Sequence, residues 1–248
     1  MRHQAERIRH DPRGRSLAVR HVERLSPGML RIILHGEDLA DFATHAPDDH
    51  VKLLFPTPGG EIVKRDYTPR FFDRAARSLT IDFALHDSGP ATDWAGKAVA
   101  GDRIGIAGPK MSVVIPQDYD WWLLIGDEAS LPAISRRLEE MRPGTPVTAL
   151  ITVAGPAEEL LLQSPAELDI IWIHRPLAMA DDAAPVIERL RSVPVPPGDG
   201  FVWIGGESSC ARALRAEVIE ARGQPRAWVK ARGYWKKGEA GSHDKIED

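Results

Sequence analysis

Residues 121–141 read WWLLIGDEASLPAISRRLEEM, and two patterns follow one another in this stretch. Its first six residues are apolar or glycine without interruption, as in a strand that is buried on both faces of a parallel sheet. Apolar residues then recur at the spacing of one helix face, at Leu131, Ile134, Leu138 and Met141. Ser130 occupies the N-cap position of this helix. A buried strand that leads directly into a helix predicts the start of an α/β domain.

The same alternation continues toward the C-terminus. Strands are predicted at residues 146–153, 168–175, 200–206 and 226–235, and helices at residues 182–192 and 208–223. Strands that alternate with helices predict a parallel sheet with right-handed crossovers.

The first half of the chain has a different pattern. Short apolar or alternating runs are separated by Pro- and Gly-containing turns, and they cover Leu17–Val22, Leu30–Leu34, Val51–Phe55, Leu79–Leu85 and Arg103–Ile106. Such runs predict a small antiparallel β-barrel. We therefore expect a barrel domain over 15–116 and an α/β domain over 120–238. A hinge at 115–120 joins them, the arm before the barrel is partly disordered, and the polar tail 239–248 frays.

Composition limits the possible partners. The 248 residues carry a formal net charge of −4, which gives no global attraction to nucleic acid or to an anionic membrane. No apolar run reaches the length of a membrane span. The basic N-terminus is not followed by the apolar region of a secretory signal. A single cysteine, Cys210, excludes an internal disulfide. We expect a cytoplasmic monomer.

Residues 63–73, VKRDYTPRFFD, combine the groups that a planar anionic ligand requires. The ring of Tyr67 can cover a fused ring system by stacking. The hydroxyl of Thr68 can bond a ring nitrogen, and Arg65 or Arg70 can hold a diphosphate through two hydrogen bonds. The alternative is a surface strand with a charged edge, and these residues alone favour that alternative.

Residues 86–95, HDSGPATDWA, form a second candidate anion site. Gly89 and Pro90 break a strand, and Ala91 and Thr92 begin a short helix whose first N–H groups can face an anion. The alternative is an ordinary helix that Thr92 caps.

Three loops leave one end of the predicted parallel sheet, which is where open sheets bind ligands. The first, residues 125–134, lacks the GxGxxG pattern, and its Asp127 and Glu128 would repel a diphosphate. In the loop at 204–209, Gly205 and Gly206 permit a close backbone approach. Arg175 is the basic side chain of the loop at 173–176.

Other reactive side chains give no site. The nine histidines have no pair at the spacing of metal ligands, so no protein-bound metal is expected. Cys210 lies inside a predicted helix, where a buried inert thiol is expected rather than a nucleophile. We predict no catalytic side chain.

The chain resembles the siderophore-interacting proteins, which are FAD-containing ferric-siderophore reductases related to ferredoxin–NADP reductases. The resemblance extends from about Leu17 to Gly238. The motifs that carry it are VKLLFP, RDYTPR, DFALH with GPATDWA, IAGP, LLIGDEASLPAI, WIHR and ARGYWKKG, in family order.

The resemblance implies that the barrel binds FAD. Arg65 would hold its diphosphate, Tyr67 would stack on the isoalloxazine, and Thr68 would approach N5. Ala91 and Thr92 would give their N–H groups to phosphate, with Trp94 packing behind them, and Trp235 would lie near the flavin. The full implied cofactor set is Arg65, Asp66, Tyr67, Thr68, Arg70, Asp82, Phe83, Leu85, His86, Gly89, Pro90, Ala91, Thr92, Trp94 and Trp235.

The resemblance also implies a nicotinamide nucleotide site in the α/β domain and basic residues around the substrate. The nucleotide set is Gly126, Asp127, Glu128, Ser130, Arg175, Gly205, Gly206 and Glu207. The substrate set is Lys52, Lys110, Lys236 and Lys237, which suits an anionic ferric siderophore.

The function implied is reduction of a ferric siderophore by FAD, with release of Fe(II) in the cytoplasm. The electrons would come from NADPH, NADH or reduced ferredoxin. The alternatives are a general flavin or ferric-chelate reductase that uses NAD(P)H, and a non-catalytic siderophore-binding protein.

Overall fold

The structure is a computed structural model that describes residues 3–57, 59–85, 89–239, 241 and 244–246. It divides into two compact units. The first comprises Met1–Pro116 with Ser135–Arg137, and the second comprises Gln117–Ile134 with Leu138–Asp248.

The first unit is built from antiparallel strands. They are β1 (Glu6–Arg9), β2 (Gly14–Ser26), β3 (Met29–His35), β4 (Val51–Pro56), β5 (Ile62–Tyr67), β6 (Phe71–Asp73), β7 (Ser78–Ala84), β8 (Arg103–Ala107) and β9 (Met111–Val114), with the short helix α1 (Pro90–Ala95) between β7 and β8. Seven of these strands form one antiparallel sheet in the order β5-β4-β8-β2-β3-β7-β6. The predicted antiparallel architecture of this half is confirmed.

Buried and more exposed residues alternate along the strands, which explains why one face of this sheet packs on a core. On β4, Val51, Leu53 and Phe55 are buried, while Lys52 and Leu54 point to the other face. The buried faces of β2, β3, β4, β7 and β8 share one apolar core. The sheet curls, so that Tyr67 on the edge strand β5 packs against Phe83 on β7.

Two expectations for this unit were wrong or incomplete. The N-terminal arm is not disordered over residues 6–9, because β1 pairs with β9 in register from Glu6–Val114 to Arg9–Met111. The alternative of a surface strand within residues 63–73 agrees with β5, which is an edge strand over Ile62–Tyr67. Strand β6 was not predicted separately, because its three residues are too few to show an alternating pattern.

The second unit alternates strands and helices. They are β10 (Trp121–Asp127), α2 (Leu131–Glu139), β11 (Pro146–Val153), β12 (Glu167–His174), α3 (Ala184–Ser192), β13 (Gly200–Glu207), α4 (Ser208–Ala216), β14 (Val229–Trp235) and β15 (Asp244–Lys245). A single turn of π-helix, Glu217–Ala221, follows α4. The sheet order is β12-β11-β10-β13-β14-β15, and its first five strands are parallel. The predicted parallel α/β architecture is confirmed.

The two strands at the centre of this sheet, β10 and β13, are buried along their whole length. All seven residues of β10 and all eight of β13 are buried, as expected for strands covered on both faces. The expectation that the tail frays was wrong for its described part. Residues 244 and 245 pair with β14, and Ile246 is buried in the core of this unit.

Candidate functional site

Tyr67 stands at the centre of an aromatic cluster in the first unit. Its ring centroid lies 4.4 Å from that of Phe83 and 6.4 Å from that of Phe55. Trp94 on α1 packs against the same two phenylalanines, at 6.0 and 5.8 Å. Burial raises the pKa of the Tyr67 phenol, so the ring stays neutral. The residue as a whole is half-buried, so that part of its surface is left to contact a planar group.

Neighbouring residues of β5 point to alternate faces of the sheet. Arg65 lies on the same face as Tyr67, because its strand partner is the inward-facing Leu53. Its guanidinium donates to the carbonyl of Lys64 at 2.9 Å and is partly exposed. Asp66 lies on the opposite face and accepts a hydrogen bond from Lys52 at 2.8 Å. Asp66 therefore pairs with a substrate candidate and does not join the Tyr67 cluster.

Asp82 is the anchor of a buried ionic network. Its carboxylate receives two hydrogen bonds of 2.7 Å from Arg31, and the Nε atom of Arg70 lies 3.8 Å away. Thr68, two residues before Arg70, is also buried. Asp82 therefore orients arginines and is not itself suited to contact an anionic cofactor. Sequence reasoning missed Arg31. It lies directly opposite Asp82 in the pairing of β3 with β7, and opposite charges at facing positions of two strands were the signal that could have found it.

The second motif of this unit is placed only in part. Gly89 precedes α1, Pro90 begins it, and Ala91 is buried against the core. Thr92 accepts the N–H of Gly96 at the end of the helix and makes no side-chain cap at its start. Leu85 packs on the core, whereas His86 lies outside the described residues.

The donors around Tyr67 fit FAD by their chemistry. A half-buried tyrosine backed by Phe83 suits one face of an isoalloxazine, and a guanidinium on the same sheet face suits a diphosphate. The residues that would hold the cofactor are Tyr67, Arg65 and Thr68.

In the second unit, the ends of β10 and β13 bring the predicted nucleotide residues together. Asp127 is buried, and its carboxylate accepts from the N–H groups of Ala129 (3.0 Å) and Glu207 (2.8 Å) and from the indole of Trp235 (2.9 Å). The hydroxyl of Ser130 donates to the carbonyl of Gly205 at 3.0 Å. Ser130 directly precedes α2, as predicted for its N-cap residue, and its hydroxyl also joins the two strand ends.

The glycines of these strand ends make room for the protein's own side chains. A Cβ on Gly205 would lie 2.4 Å from the Trp203 ring. Gly206 has a φ of +145°, and a Cβ there would lie 2.7 Å from the Asp127 carboxylate. We had expected these glycines to admit a ligand, and in this structure the close approach is taken by Trp203 and Asp127.

Replacing Gly126 by alanine is expected to destabilise the second unit. The new Cβ would lie 2.1 Å from the Ser130 hydroxyl oxygen and 3.0 Å from the carbonyl oxygen of Gly205. Overpacking of this kind costs about 1–3 kcal/mol, which should lower the urea midpoint. Gly155→Ala is the matched control, because no atom lies within 4 Å of its new Cβ. Equal midpoints for the two variants would contradict the packing argument.

The remaining charged residues of the predicted nucleotide set are engaged with one another or with backbone. Arg175 is buried and forms two hydrogen bonds with Glu128, at 3.1 and 3.0 Å. In this structure Arg175 therefore pairs with an acidic side chain of its own chain. Glu207 caps α4 by accepting the N–H groups of Ser209 and Cys210.

These strand ends border a narrow cavity of about 20 Å³, which is room for about one water molecule. Asp127, Arg175, Gly206 and Glu207 line it, together with Cys210. This cavity is too small to hold a dinucleotide.

Two pKa values at this cavity are shifted upward. Burial, followed by the charge of Glu128, raises the pKa of Asp127 to about 7, while the bond from Trp235, the charge of Arg175 and the N–H of Glu207 lower it. Burial also raises the pKa of the Cys210 thiol to about 12. A thiol with this pKa is a poor nucleophile at neutral pH.

The predicted substrate lysines carry partners in this structure. Lys52 pairs with Asp66, Lys236 with Glu239, and Lys237 with Asp181 at 2.6 Å. Lys110 is exposed. The two C-terminal pairs are exposed to solvent, where ion pairs contribute little and exchange readily.

Among residues 3–57, 59–85, 89–239, 241 and 244–246, no three His, Cys, Asp or Glu side chains are grouped as a metal site. Within the same part of the chain, no helix is long and apolar enough to cross a membrane.

Comparison with known proteins gives matches over almost the whole chain. The family profile described as siderophore-interacting protein matches residues 119–238, and the profile described as siderophore-interacting FAD-binding domain matches residues 18–64 and 60–113. The chain is 36% identical over 251 residues to the NADPH-dependent ferric-chelate reductase of Escherichia coli, covering 93% of this chain and 96% of that protein.

Two further matches are to a curated protein and a crystal structure. The chain is 29% identical over 240 residues to the ferric vibriobactin reductase ViuB of Vibrio cholerae, covering 86% of each protein. The crystal structure of a siderophore utilization protein from T. fusca superposes with a TM-score of 0.90 at 36% identity, covering 98% of this chain and 100% of that one.

Proposed function

Because this chain belongs to the siderophore-interacting protein family, we propose that it is an FAD-dependent reductase that takes electrons from NADPH and reduces ferric siderophores, releasing iron as Fe(II). The observation that carries the proposal is the cluster around Tyr67. It combines a half-buried tyrosine, a guanidinium on the same sheet face and a buried threonine within four residues. The relatives from E. coli and V. cholerae, whose names describe reduction of ferric chelates, support it.

The protein's own residues would bind and orient the cofactor. Bound FAD supplies the transfer of electrons from the nicotinamide to ferric iron. Tyr67 would hold the flavin plane by stacking, and Arg65 would neutralise the diphosphate. Thr68 would direct a hydroxyl at a ring nitrogen. Asp82 keeps Arg31 and Arg70 in fixed positions next to this segment.

The finer features of the proposal concern partners and location. The substrate is an anionic ferric siderophore, drawn by local lysines despite the net charge of −4. NADPH is the donor rather than NADH or ferredoxin, and the protein acts as a cytoplasmic monomer without nucleic-acid or membrane partners.

The test is anaerobic kinetics of the two half-reactions. NADPH, NADH and reduced ferredoxin are each mixed with the oxidised flavoprotein, and the reduced protein is then mixed with several ferric chelates and with free flavin. Fast reduction by NADPH and fast reoxidation by a ferric siderophore are expected. Preference for free flavin would favour the general reductase, and a purified protein that does not take up FAD would favour the non-catalytic alternative.

Replacing Arg175 by alanine is expected to raise KM for NADPH by about tenfold, since a charge-assisted hydrogen bond is worth about 1.5–3 kcal/mol. KM for NADH should stay unchanged, because only NADPH carries a 2′-phosphate. The phosphate would take the place of the Glu128 carboxylate, which forms the same bidentate bonds with Arg175 in this structure.

Arg191→Ala is the matched control for Arg175, because Arg191 also holds a glutamate, Glu217, through two hydrogen bonds in the same unit. It should leave both KM values unchanged. An NADPH-to-NADH ratio that Arg175→Ala does not alter would remove Arg175 from the nucleotide site.

A further inference from the structure

Two buried carboxylates stand at the strand ends where an open α/β sheet receives a dinucleotide. Asp127 ends β10 and Glu207 ends β13, with 5% and 2% of their surfaces exposed. Their negative charge is the wrong sign for a diphosphate, so their presence requires another explanation.

Both carboxylate oxygens of Asp127 accept hydrogen bonds from N–H groups of the protein itself. Its Oδ1 accepts from Ala129 at 3.0 Å and Ser130 at 3.3 Å, and its Oδ2 accepts from Glu207 at 2.8 Å and from the Trp235 indole at 2.9 Å. Four bonds of this kind match the acceptor capacity of an ionised carboxylate. The last of these bonds crosses from β10 to the residue that ends β14.

Glu207 contacts the residues around Trp235 through a second set of hydrogen bonds. One of its carboxylate oxygens caps α4, and the other accepts the backbone N–H of Lys237 at 3.3 Å. The neighbouring Ser208 hydroxyl donates to the carbonyl of Trp235 at 3.0 Å. The segment of residues 235–237 is thus held by its indole, a carbonyl and an amide.

We propose that Asp127 and Glu207 are positioning residues, which fix segment 235–237 and its two lysines for an anionic ferric siderophore, and are not nucleotide ligands. This inference rests on the proposed function, because it takes Lys236 and Lys237 as substrate-binding residues. It accounts for acidic residues at the strand ends: they face backbone and indole donors of their own chain. It also explains why Gly206 must be glycine, since a Cβ there would displace the Asp127 carboxylate.

The test measures two equilibrium affinities in the oxidised FAD-loaded protein. The probes are a ferric tris(catecholate) complex and NADP⁺, and the variants are Asp127→Asn, Glu207→Gln and the exposed control Glu167→Gln. An amide nitrogen cannot accept the hydrogen bonds that a carboxylate oxygen does. We expect about tenfold weaker binding of the ferric complex in the first two variants, since one lost charge-assisted hydrogen bond is worth about 1.5–3 kcal/mol. NADP⁺ affinity should change less than twofold.

The opposite pattern would overturn the inference. If the two acids face the nucleotide, removing their charge should tighten NADP⁺ binding and leave the ferric complex unaffected. Trp235→Phe removes the indole donor and keeps an aromatic ring. It tests the same hydrogen bond from the other side if Asp127→Asn does not fold. It too should weaken binding of the ferric complex.

The indole N–H resonance of Trp235 in a ¹⁵N spectrum separates this inference from the proposed function. The resonance is identified by its absence in Trp235→Phe, and its shift should titrate with Asp127 in the wild type and stay constant in Asp127→Asn. Glu128, Arg175, Glu207 and Cys210 face the same carboxylate, so Glu128→Gln should move the titration without abolishing it. A titrating indole in a protein that binds no ferric complex would refute the proposed function alone. An indole resonance that Asp127→Asn leaves unshifted would refute the positioning role of Asp127.

Discussion

Replacing Tyr67 by alanine is expected to cause loss of FAD on dilution. Stacking of an aromatic side chain on a base-sized ring is worth about 1–3 kcal/mol, or about 5- to 150-fold in affinity. Tyr67 is half-buried and is backed by other rings, with the centroid of Phe83 at 4.4 Å. The measurement is the fraction of flavin that passes an ultrafiltration membrane as the protein is diluted.

Tyr67→Phe is the control for this change, because it keeps the ring and removes only the hydroxyl. It should retain FAD as the wild type does. The alanine variant also leaves a hole against Phe83 and Phe55, and truncation of a buried aromatic residue costs about 3–5 kcal/mol. The unfolding midpoint of each apoprotein must therefore be measured, so that loss of FAD is not confused with unfolding.

Arg65→Ala tests the same site without disturbing the aromatic packing. Removing a charge-assisted contact to the diphosphate should weaken FAD binding by about tenfold or more, since such bonds contribute about 1.5–3 kcal/mol. Arg74→Ala, an exposed arginine of the same unit, should have no effect. Full flavin occupancy in both Tyr67→Ala and Arg65→Ala at dilute protein would place the flavin elsewhere.

The architecture could be predicted because its strongest elements carry their own pattern. β10 is apolar along its whole length and leads into a helix with regular apolar spacing, so one stretch defines an α/β unit. β4 alternates between buried and outward residues, which defines a half-buried antiparallel strand. Strand β1 gains its order from backbone pairing with β9, which no side-chain pattern marks in the sequence, and it was missed for that reason.

The contacts of the candidate site could be predicted less well, because they join residues distant in sequence. Arg31 meets Asp82 across 51 residues, and the indole of Trp235 meets Asp127 across 108. Residue type and local spacing identified Asp127 and Arg175 as members of the strand-end site. They could not show that one faces an indole and the other a glutamate, because that depends on the register of neighbouring strands.

Reversing the charge of the substrate lysines is expected to slow reoxidation of the flavin by an anionic ferric siderophore. Lys52→Glu tests the first unit and Lys236→Glu the second. Local fields change the association rates of charged ligands by about 10- to 1,000-fold, and we expect about tenfold for each reversal at low salt. The measurement is stopped-flow reoxidation by a ferric tris(catecholate) complex, repeated with a neutral ferric trihydroxamate.

The salt dependence and the uncharged chelate decide whether this loss is electrostatic. Lys52 and Lys236 already pair with Asp66 and Glu239, so each reversal also places two carboxylates together, and stability must be checked alongside the rate. Raising the ionic strength from about 0.01 M to 1 M shortens the screening length from about 30 to 3 Å, and the defect should shrink accordingly. Arg24→Glu and Arg189→Glu, exposed arginines of the first and second unit, make the same change in total charge and should have little effect. If the trihydroxamate slows as much as the tris(catecholate), or if the control reversals are equally harmful, the lysines do not attract the substrate.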